Sequence, residues 1–438
     1  MESQEAIKKK NVYRVAYIGV CFTTLFTAYI AAQNLVSQIY KQLGFSSLGQ
    51  TCIFIFFSFF GLTSVVAAHF KKKISLKTGF IFGACAHINF VLAGTLTTFC
   101  NKYEHDSGVC SSSFIVFYNI SSACVLGFGA AFLWLCQALY VDGCADAETK
   151  GILNGLFWSL LQCAQIFSSA LAAFLLGSTD QFTFYLILLL FGFTAIGMLS
   201  FVKPPVENGS KPPQIETNET LAEALQGFKN LAQEKMYYFL FIGIVFSGVA
   251  IGFYISFLAT AVGSIIQSEN TQETNKMISY VLLVLSCGEV IAGLTVGKLA
   301  DKYDKIKLFT ITMIINEVAL VLTFLACLFK SYYLAILAGW FWGYGDTAIQ
   351  TMINTCIGSM FGGRPELFSA YRFYQGIGEM IAAILAVFLS GGGPILYILV
   401  IAGIMMVFHV WYIQYLPKNS PQGNVSVDNR PLLELKDM

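Results

Sequence analysis

The chain has 438 residues, 56% of them hydrophobic and only 12% charged, with 40 Phe and a formal net charge of +1. A soluble globular protein carries roughly twice that charged fraction, so lipid rather than water is the main solvent. Basic residues follow loops rather than forming a stripe, which leaves no nucleic-acid-binding surface.

Apolar stretches of about 20 residues, the length that crosses a bilayer as a helix, recur along the chain. They are continuously apolar rather than alternating, which excludes barrel strands. The spans fall at 13–40, 47–70, 75–99, 113–141, 151–177 and 181–203, then 236–264, 277–300, 306–329, 331–360, 366–390 and 393–416. The reading is an all-α membrane protein: a tail over 1–12, a six-helix bundle over 13–203, a linker over 204–235, a second six-helix bundle over 236–416 and a tail over 417–438. No proline interrupts a span; Pro365 and Pro394 sit where helices begin and no amide donor is needed. The first apolar run, from near Val15, is too long for the core of a cleavable signal peptide and lacks its cleavage pattern, so it counts as a span.

Of the 26 Lys and Arg residues, all but Lys41, Lys102, Lys276 and Lys330 fall on the side that holds both termini. Such an asymmetry in short loops predicts that both termini are cytosolic. The sequons at Asn208, Asn218 and Asn424 then lie on the wrong side for glycosylation, and Asn119 lies inside a span. Of the 12 cysteines, ten read as small core hydrophobes. Cys100 and Cys110 bracket the one sizeable loop of the opposite side, where either a disulfide or two free thiols fits the sequence.

The linker has a second part with its own pattern. Thr220 and Glu223 have capping-box spacing, and Leu221, Leu225, Phe228 and Leu231 follow at helical intervals, which predicts a short amphipathic helix packed against the bundles at the membrane surface.

The halves echo each other. Gly127 and Gly129 in the fourth span match Gly343 and Gly345 in the tenth, and each span is followed by a polar loop and then an aromatic residue and Gln, Trp158 with Gln162 and Tyr374 with Gln375. Between the eighth and ninth spans, Gly297-Lys-Leu-Ala-Asp301-Lys302-Tyr-Asp304-Lys305 resembles the loop motif of the major facilitator superfamily, with Asp304 in place of the usual Gly. The matching first-half stretch, Ala67-Ala-His69-Phe-Lys71-Lys72-Lys73, keeps the basic charge but lacks the acid and the glycine. Together these resemble the parallel repeat of a major facilitator.

Glu289, Glu317, Asp346 and Glu379 fall near mid-span, all in the second half, where one charge costs about 2.5–3.5 kcal/mol or more. The first half offers amides: Gln33, Asn34, Asn89, Gln137, Asn154, Gln162 and Gln165. Arg372, Gln375 and Glu379 share one helix face, and Asp346, Gln350 and Asn354 share another on the preceding span. Two readings stay open: an ion or proton site near the midplane, with Glu289 about 18 Å along its helix from the motif loop, or helix-gluing pairs such as Asp346 with Arg372. His87 and His409 read as hydrogen-bonded packing residues.

Three first-half stretches, Phe26-Thr-Ala-Tyr…Gln33-Asn34-Leu35, Gly127-Phe-Gly129-Ala-Ala-Phe-Leu-Trp134-Leu-Cys-Gln137-Ala-Leu-Tyr140 and Gly155-Leu-Phe-Trp158-Ser-Leu-Leu-Gln162, resemble the Unc-ninety-three family, the ion channel regulatory branch of the major facilitators. The second half adds Gly288-Glu289-Val-Ile-Ala-Gly293, Gly343-Tyr-Gly345-Asp346-Thr347 and Tyr371-Arg372-Phe-Tyr-Gln375-Gly376. The resemblance implies a protein that keeps a transporter fold and works by association, as a regulatory subunit of potassium channels or as an escort of receptors to endosomes. The degenerate first-half loop fits that branch, while the buried acids keep a secondary transporter as the alternative.

In the C-terminal tail, Asp428-Asn-Arg-Pro-Leu432-Leu433 matches the acidic dileucine pattern read by sorting adaptors, which points to endolysosomal membranes as an alternative to the plasma membrane. The sequence contains no phosphate loop, no H-E-x-x-H, no nucleophile elbow and no paired Cys-x-x-Cys, so neither catalysis nor a cofactor is expected.

Overall fold

In hydrocarbon every backbone amide and carbonyl must be satisfied within the protein, so long apolar runs fold as helices. The computed structural model describes residues 4–45, 48–71, 73–103, 107–176, 179–206, 221–266, 271–389 and 393–417, and no strand occurs among them. The first bundle is α1 (Gln4–Gln42), α2 (Leu48–Lys71), α3 (Leu76–Lys102), α4 (Ser112–Cys144), α5 (Lys150–Leu176) and α6 (Gln181–Leu199). After the linker helix α7 (Leu221–Gln233), the seventh span is composite: α8 (Tyr238–Phe253), a π-helical turn (Tyr254–Leu258) and α9 (Ala259–Ile265). α10 (Thr271–Lys302), α11 (Lys305–Phe329), α12 (Tyr332–Met360), α13 (Pro365–Leu389) and α14 (Pro394–Gln414) complete the second bundle.

Among the described residues, ten helices qualify as spans by length and apolarity alone. The other two are α12 and α13, long enough to cross but diluted by Asp346, Gln350 and Asn354 and by Arg372, Gln375 and Glu379. Their polarity is tolerated because those side chains are buried within the protein.

Helix packing repeats between the bundles. α1 packs on α5 and α6, α2 and α3 on α4, and α3 on α6; in the second bundle α8 packs on α13 and α14, α10 and α11 on α12, and α11 on α14. The bundles meet mainly along two matching seams, α5 with α10 and α2 with α13. The fold is that of a major facilitator.

Helix ends follow local chemistry. Ser75, Ser111, Asp180, Asp304 and Ser331 each cap a helix by accepting a backbone N–H. Asp304, the departure from the loop motif, is thereby explained: its Oδ1 accepts from the Lys307 amide at 2.8 Å and starts α11. Pro365 and Pro394 open α13 and α14.

Two expectations are corrected. The tail expected over 1–12 is helical from Gln4, continuous with the first span. It is held there by Lys8, which lies 3.0 Å from both Asp146 and Glu148, and by buried Asn11, which exchanges two hydrogen bonds with the Val206 backbone. The ten cysteines read as core are not uniformly buried: Cys85 is exposed and Cys124, Cys163 and Cys287 are half-buried. The linker helix packs against both bundles. Leu231 is buried and Phe228 packs edge-on against Phe373 of α13 at 5.4 Å, while α7 also touches α2 and so spans both bundles. Thr220 lies outside the described residues, as do the sequons at Asn208, Asn218 and Asn424.

Two faces result. The α2–α3, α4–α5, α10–α11 and α12–α13 loops and the linker helix α7 share the basic face. On the opposite face Cys100 and Cys110 are joined by a disulfide with Cα atoms 5.3 Å apart.

Candidate functional site

Close helix contact builds the centre of the second bundle. A Cβ at Gly288 of α10 would meet the Trp340 carbonyl at 2.5 Å, and one at Gly339 of α12 would meet the Val281 carbonyl at 2.9 Å, so only glycine lets these backbones approach. That approach brings Glu289 beside Asp346. On the other side, Gly252 of α8 lies against the Glu379 backbone, where a Cβ would stand 2.8 Å from its carbonyl oxygen. The π-helical turn then aims Tyr254 inward, the kind of helix irregularity that recurs at functional sites.

Tyr254 Oη donates to Asp346 Oδ2 at 3.0 Å and Gln350 Nε2 donates to Asp346 Oδ1 at 3.4 Å. Tyr371 Oη donates to Gln350 Oε1, joining the polar stripes of α12 and α13. Arg372 Nη1 donates to Gln375 Oε1 at 2.8 Å. The expected Asp346–Arg372 contact is absent among the described residues: the two stripes join through Gln350 and Tyr371 instead.

The Arg372 guanidinium lies 4.6 Å from the Trp134 ring, 5.8 Å from Trp158 and 4.2 Å from Tyr371. Trp134 and Trp158, from α4 and α5, are stacked at 5.6 Å, so two first-half indoles clasp a second-half cation across the molecular axis. Gln162 Nε2 reaches Thr347 Oγ1 at 3.4 Å along the same axis.

Several buried polar atoms here have no hydrogen-bond partner among the described residues: Glu289 Oε2, Glu379 Oε2, Arg372 Nη2, Trp158 Nε1 and both amide atoms of Gln137. Native interiors leave few such atoms unpaired, and a concentration of them marks a place where water or a ligand belongs. Among the described residues no group of three or more His, Cys, Asp or Glu is arranged to hold a metal ion.

The predicted residues therefore divide. Glu289, Asp346, Arg372, Glu379 and Gln137 are buried, and Gln162 is half-buried against Thr347. Gln33 is half-buried one turn beyond Tyr29, which lies within electrostatic reach of Glu379, whereas Asn34 is exposed. Glu317 is elsewhere: its Oε1 pairs with His409 Nδ1 at 2.7 Å, between α11 and α14. Sequence reasoning missed Tyr254, and it noted Trp134 and Trp158 without a role, because aromatic residues carry no mark in a chain that is 15% aromatic.

The loop motif forms the basic-face end of the α5–α10 seam. Asp301 Oδ1 and Oδ2 accept the backbone N–H groups of Gly151 and Ile152, each at 2.7 Å, placing a carboxylate on the N-terminus of α5. Gly297 packs on Gly151 and Gly155, while Lys302 is exposed. Beside it Lys150 Nζ donates to Asp142 Oδ1 and to the Gly358 carbonyl, both at 2.6 Å, and so links α5 to α12. The dileucine residues Asp428, Leu432 and Leu433 lie outside the described residues.

Known proteins resemble this arrangement. Protein unc-93 homolog A of Xenopus laevis is 23% identical over 465 aligned positions, covering 93% of this chain and 94% of that one. UNC93-like protein MFSD11 of Xenopus tropicalis is 19% identical over 418 positions, 86% of this chain and 90% of that one. UNC93-like protein 3 of Arabidopsis thaliana is 27% identical over 215 positions, 45% of this chain and 42% of its own length. Among solved structures, the proton:xylose symporter XylE superposes with a TM-score of 0.68 at 11% identity, covering 94% of this chain and 97% of that one. A bacterial homologue of the iron transporter ferroportin, in an outward-facing state, gives 0.69 at 13%, covering 91% and 99%. Residues 37–413 match the family described as "Ion channel regulatory protein UNC-93", and with that match over most of its length the chain belongs to the UNC-93 family, built on the major facilitator fold.

Proposed function

We propose that the protein works without chemistry of its own, as a membrane regulator or escort of an ion channel or receptor, with the basic face and both termini in the cytosol. The observation that carries this reading is the family match over residues 37–413. The orientation is supported by the Lys and Arg asymmetry and by the disulfide on the opposite face, where an oxidising compartment favours it. The dileucine pattern at Asp428, Leu432 and Leu433 supports an adaptor contact and an endolysosomal membrane over permanent plasma-membrane residence.

The test is affinity purification in a mild detergent through an N-terminal tag that leaves the dileucine tail free. A channel or receptor recovered near one-to-one supports regulation; a protein that purifies alone at the same yield overturns it.

A second reading, secondary transport, is favoured by the orphaned Glu289, Glu379 and Arg372 atoms. The matching α5–α10 and α2–α13 seams are the kind of interface that an alternating-access carrier opens and closes. Proton flux into vesicles, lost in Glu289→Gln and Glu379→Gln at unchanged expression, supports transport; flux that is absent from the wild type removes it.

A further inference from the structure

One polar pair in the membrane belongs to neither the axis nor the seams. Glu317 lies about 18 Å along α11 from its start at Lys305, near mid-membrane by helix rise. Its Oε1 is bonded to His409 Nδ1 at 2.7 Å, yet its side chain keeps 30% of its surface accessible. The neighbours on its own stripe are Ile314 at 45% exposure one turn before and Val321 at 56% one turn after. Around His409 on α14 the same stripe holds Met406 at 65% and Ile413 at 53%.

Glu317 and His409 therefore form a polar spot on an outward apolar face. Neither α11 nor α14 takes part in the seams that join the bundles, which places this face at the outer edge of the second bundle. The equivalent edge of the first bundle, α3 with α6, exposes Phe82, Leu92, Leu190 and Phe193 and no Asp, Glu, His, Lys or Arg near mid-span. So the fold does not require the pair.

A carboxylate half-open to lipid is expensive, and ionisable groups in spans normally turn to the interior or meet a partner. His409 Nδ1 bonds one oxygen of Glu317, and the carboxyl group with its second acceptor oxygen remains at the face. What complements it is a cationic hydrogen-bond donor at the same depth. We propose that the α11–α14 face centred on Glu317 and His409 docks a partner's transmembrane helix that carries a lysine or arginine near mid-span. The proposal deepens the regulator reading and rests on it.

The experiment reconstitutes the full chain, labelled with a fluorescent donor, into lipid vesicles and titrates acceptor-labelled leucine-rich helices of about 20 residues. One helix has a central lysine; the other has leucine there. The lysine helix should bind about tenfold more tightly to the wild type, with the preference lost in Glu317→Leu and reduced in Glu317→Gln, which keeps the shape and the neutral hydrogen bonds. Equal binding of the two helices, or a lysine preference that survives in Glu317→Leu, overturns the proposal. So does energy transfer between copies of this chain that only Glu317→Leu removes, because the face then belongs to a second copy. A stoichiometric channel or receptor that still co-purifies with Glu317→Leu removes this face and leaves the regulator reading intact. A wild type that purifies alone removes the reading itself.

Discussion

The α5–α10 and α2–α13 seams occupy matching places in the two-fold repeat, yet they are closed by different means. At α5–α10, Gly151 and Gly155 face Gly293 and Gly297 so closely that a Cβ on any of them would collide with opposing backbone, and Ser159 Oγ donates to the Val290 carbonyl at 2.9 Å. Asp301 seals the end. At α2–α13 the closest glycines are looser: a Cβ on Gly376 would have Gly61 Cα at 3.7 Å as its nearest neighbour, and one on Gly61 would meet nothing within 4 Å. The loop that corresponds to Asp301 has no acid there, and its Lys71 turns to the Ile74 carbonyl of its own loop at 2.9 Å. The linker helix α7 lies over this seam instead. One seam is a backbone-on-backbone latch, while the other depends on a strap that is itself part of the linker.

Matched glycine substitutions should separate the two most strongly. Gly155→Ala forces a methyl group onto the Gly293 carbonyl, and with backbone on both sides there is no flexible atom to yield. The expected cost is about 3 kcal/mol, read as a lower melting temperature or a lost monodisperse peak. Gly376→Ala, in ordinary contact, should stay within about 0.5 kcal/mol of the wild type. Equal effects would mean that the seams are equivalent.

Asp301→Ala comes next. It removes two charge-assisted hydrogen bonds from the first turn of α5 and leaves the Gly151 and Ile152 amides unpaired. The closed basic face should lose about 2 kcal/mol, roughly a thirtyfold shift in the opening equilibrium, measured as faster maleimide labelling of an Ile152→Cys reporter. Unchanged labelling would show that glycine packing alone holds the seam.

How much of this was legible in the sequence depended on the range of each interaction. Span periodicity is local, so the helices could be read, including α12 and α13, whose polar stripes keep them below the apolarity of their neighbours. Asp301 was legible as a motif, but its acceptors' partners lie 150 and 149 residues away in sequence, and nothing near Gly151 announces them. Glu317 carried the same mark as Glu289, an acid in mid-span, yet one pairs laterally with His409 and the other is buried with its Oε2 unpaired. That difference is the rotation of a helix about its own axis, which a lone acid does not encode. Tyr254 reached Asp346 only through the π-helical turn, whose sequence Tyr254-Ile-Ser-Phe-Leu258 looks like any apolar helix.

Phe228→Ala tests the strap. It deletes the ring against Phe373 while leaving Leu231 buried, so α7 should stay helical but grip α13 less well. An aromatic pair of this kind contributes about 1 kcal/mol beyond area. The expected outcome is faster labelling of a cysteine at Phe373's neighbour Tyr374, with Ile152→Cys labelling unchanged. Loosening of both reporters together would join the seams into one cooperative closure.

The smallest effect belongs to a control remote from either seam. Asp180 caps α6 on the disulfide face, accepting from the Thr183 amide at 3.2 Å, the Thr183 hydroxyl at 2.8 Å and Lys102 Nζ at 3.0 Å. Desolvation, the largest single effect, pushes its carboxyl up, but the bonds from Thr183 and Lys102 together outweigh it and hold it at about 2. A depressed folded value stabilises the fold fully above the ordinary carboxylate range near pH 4 and loses that stabilisation as pH falls through about 2. Because Lys102 and Asp180 are 37% and 46% exposed, solvent screening leaves about 0.5 kcal/mol. Asp180→Asn should therefore flatten the melting temperature between about pH 4 and pH 2 by roughly 0.5 °C and leave both seam reporters unmoved. If either reporter did respond, the disulfide face would be coupled to closure of the basic face, and the contrast between latch and strap would be a property of the whole bundle pair rather than of the two seams.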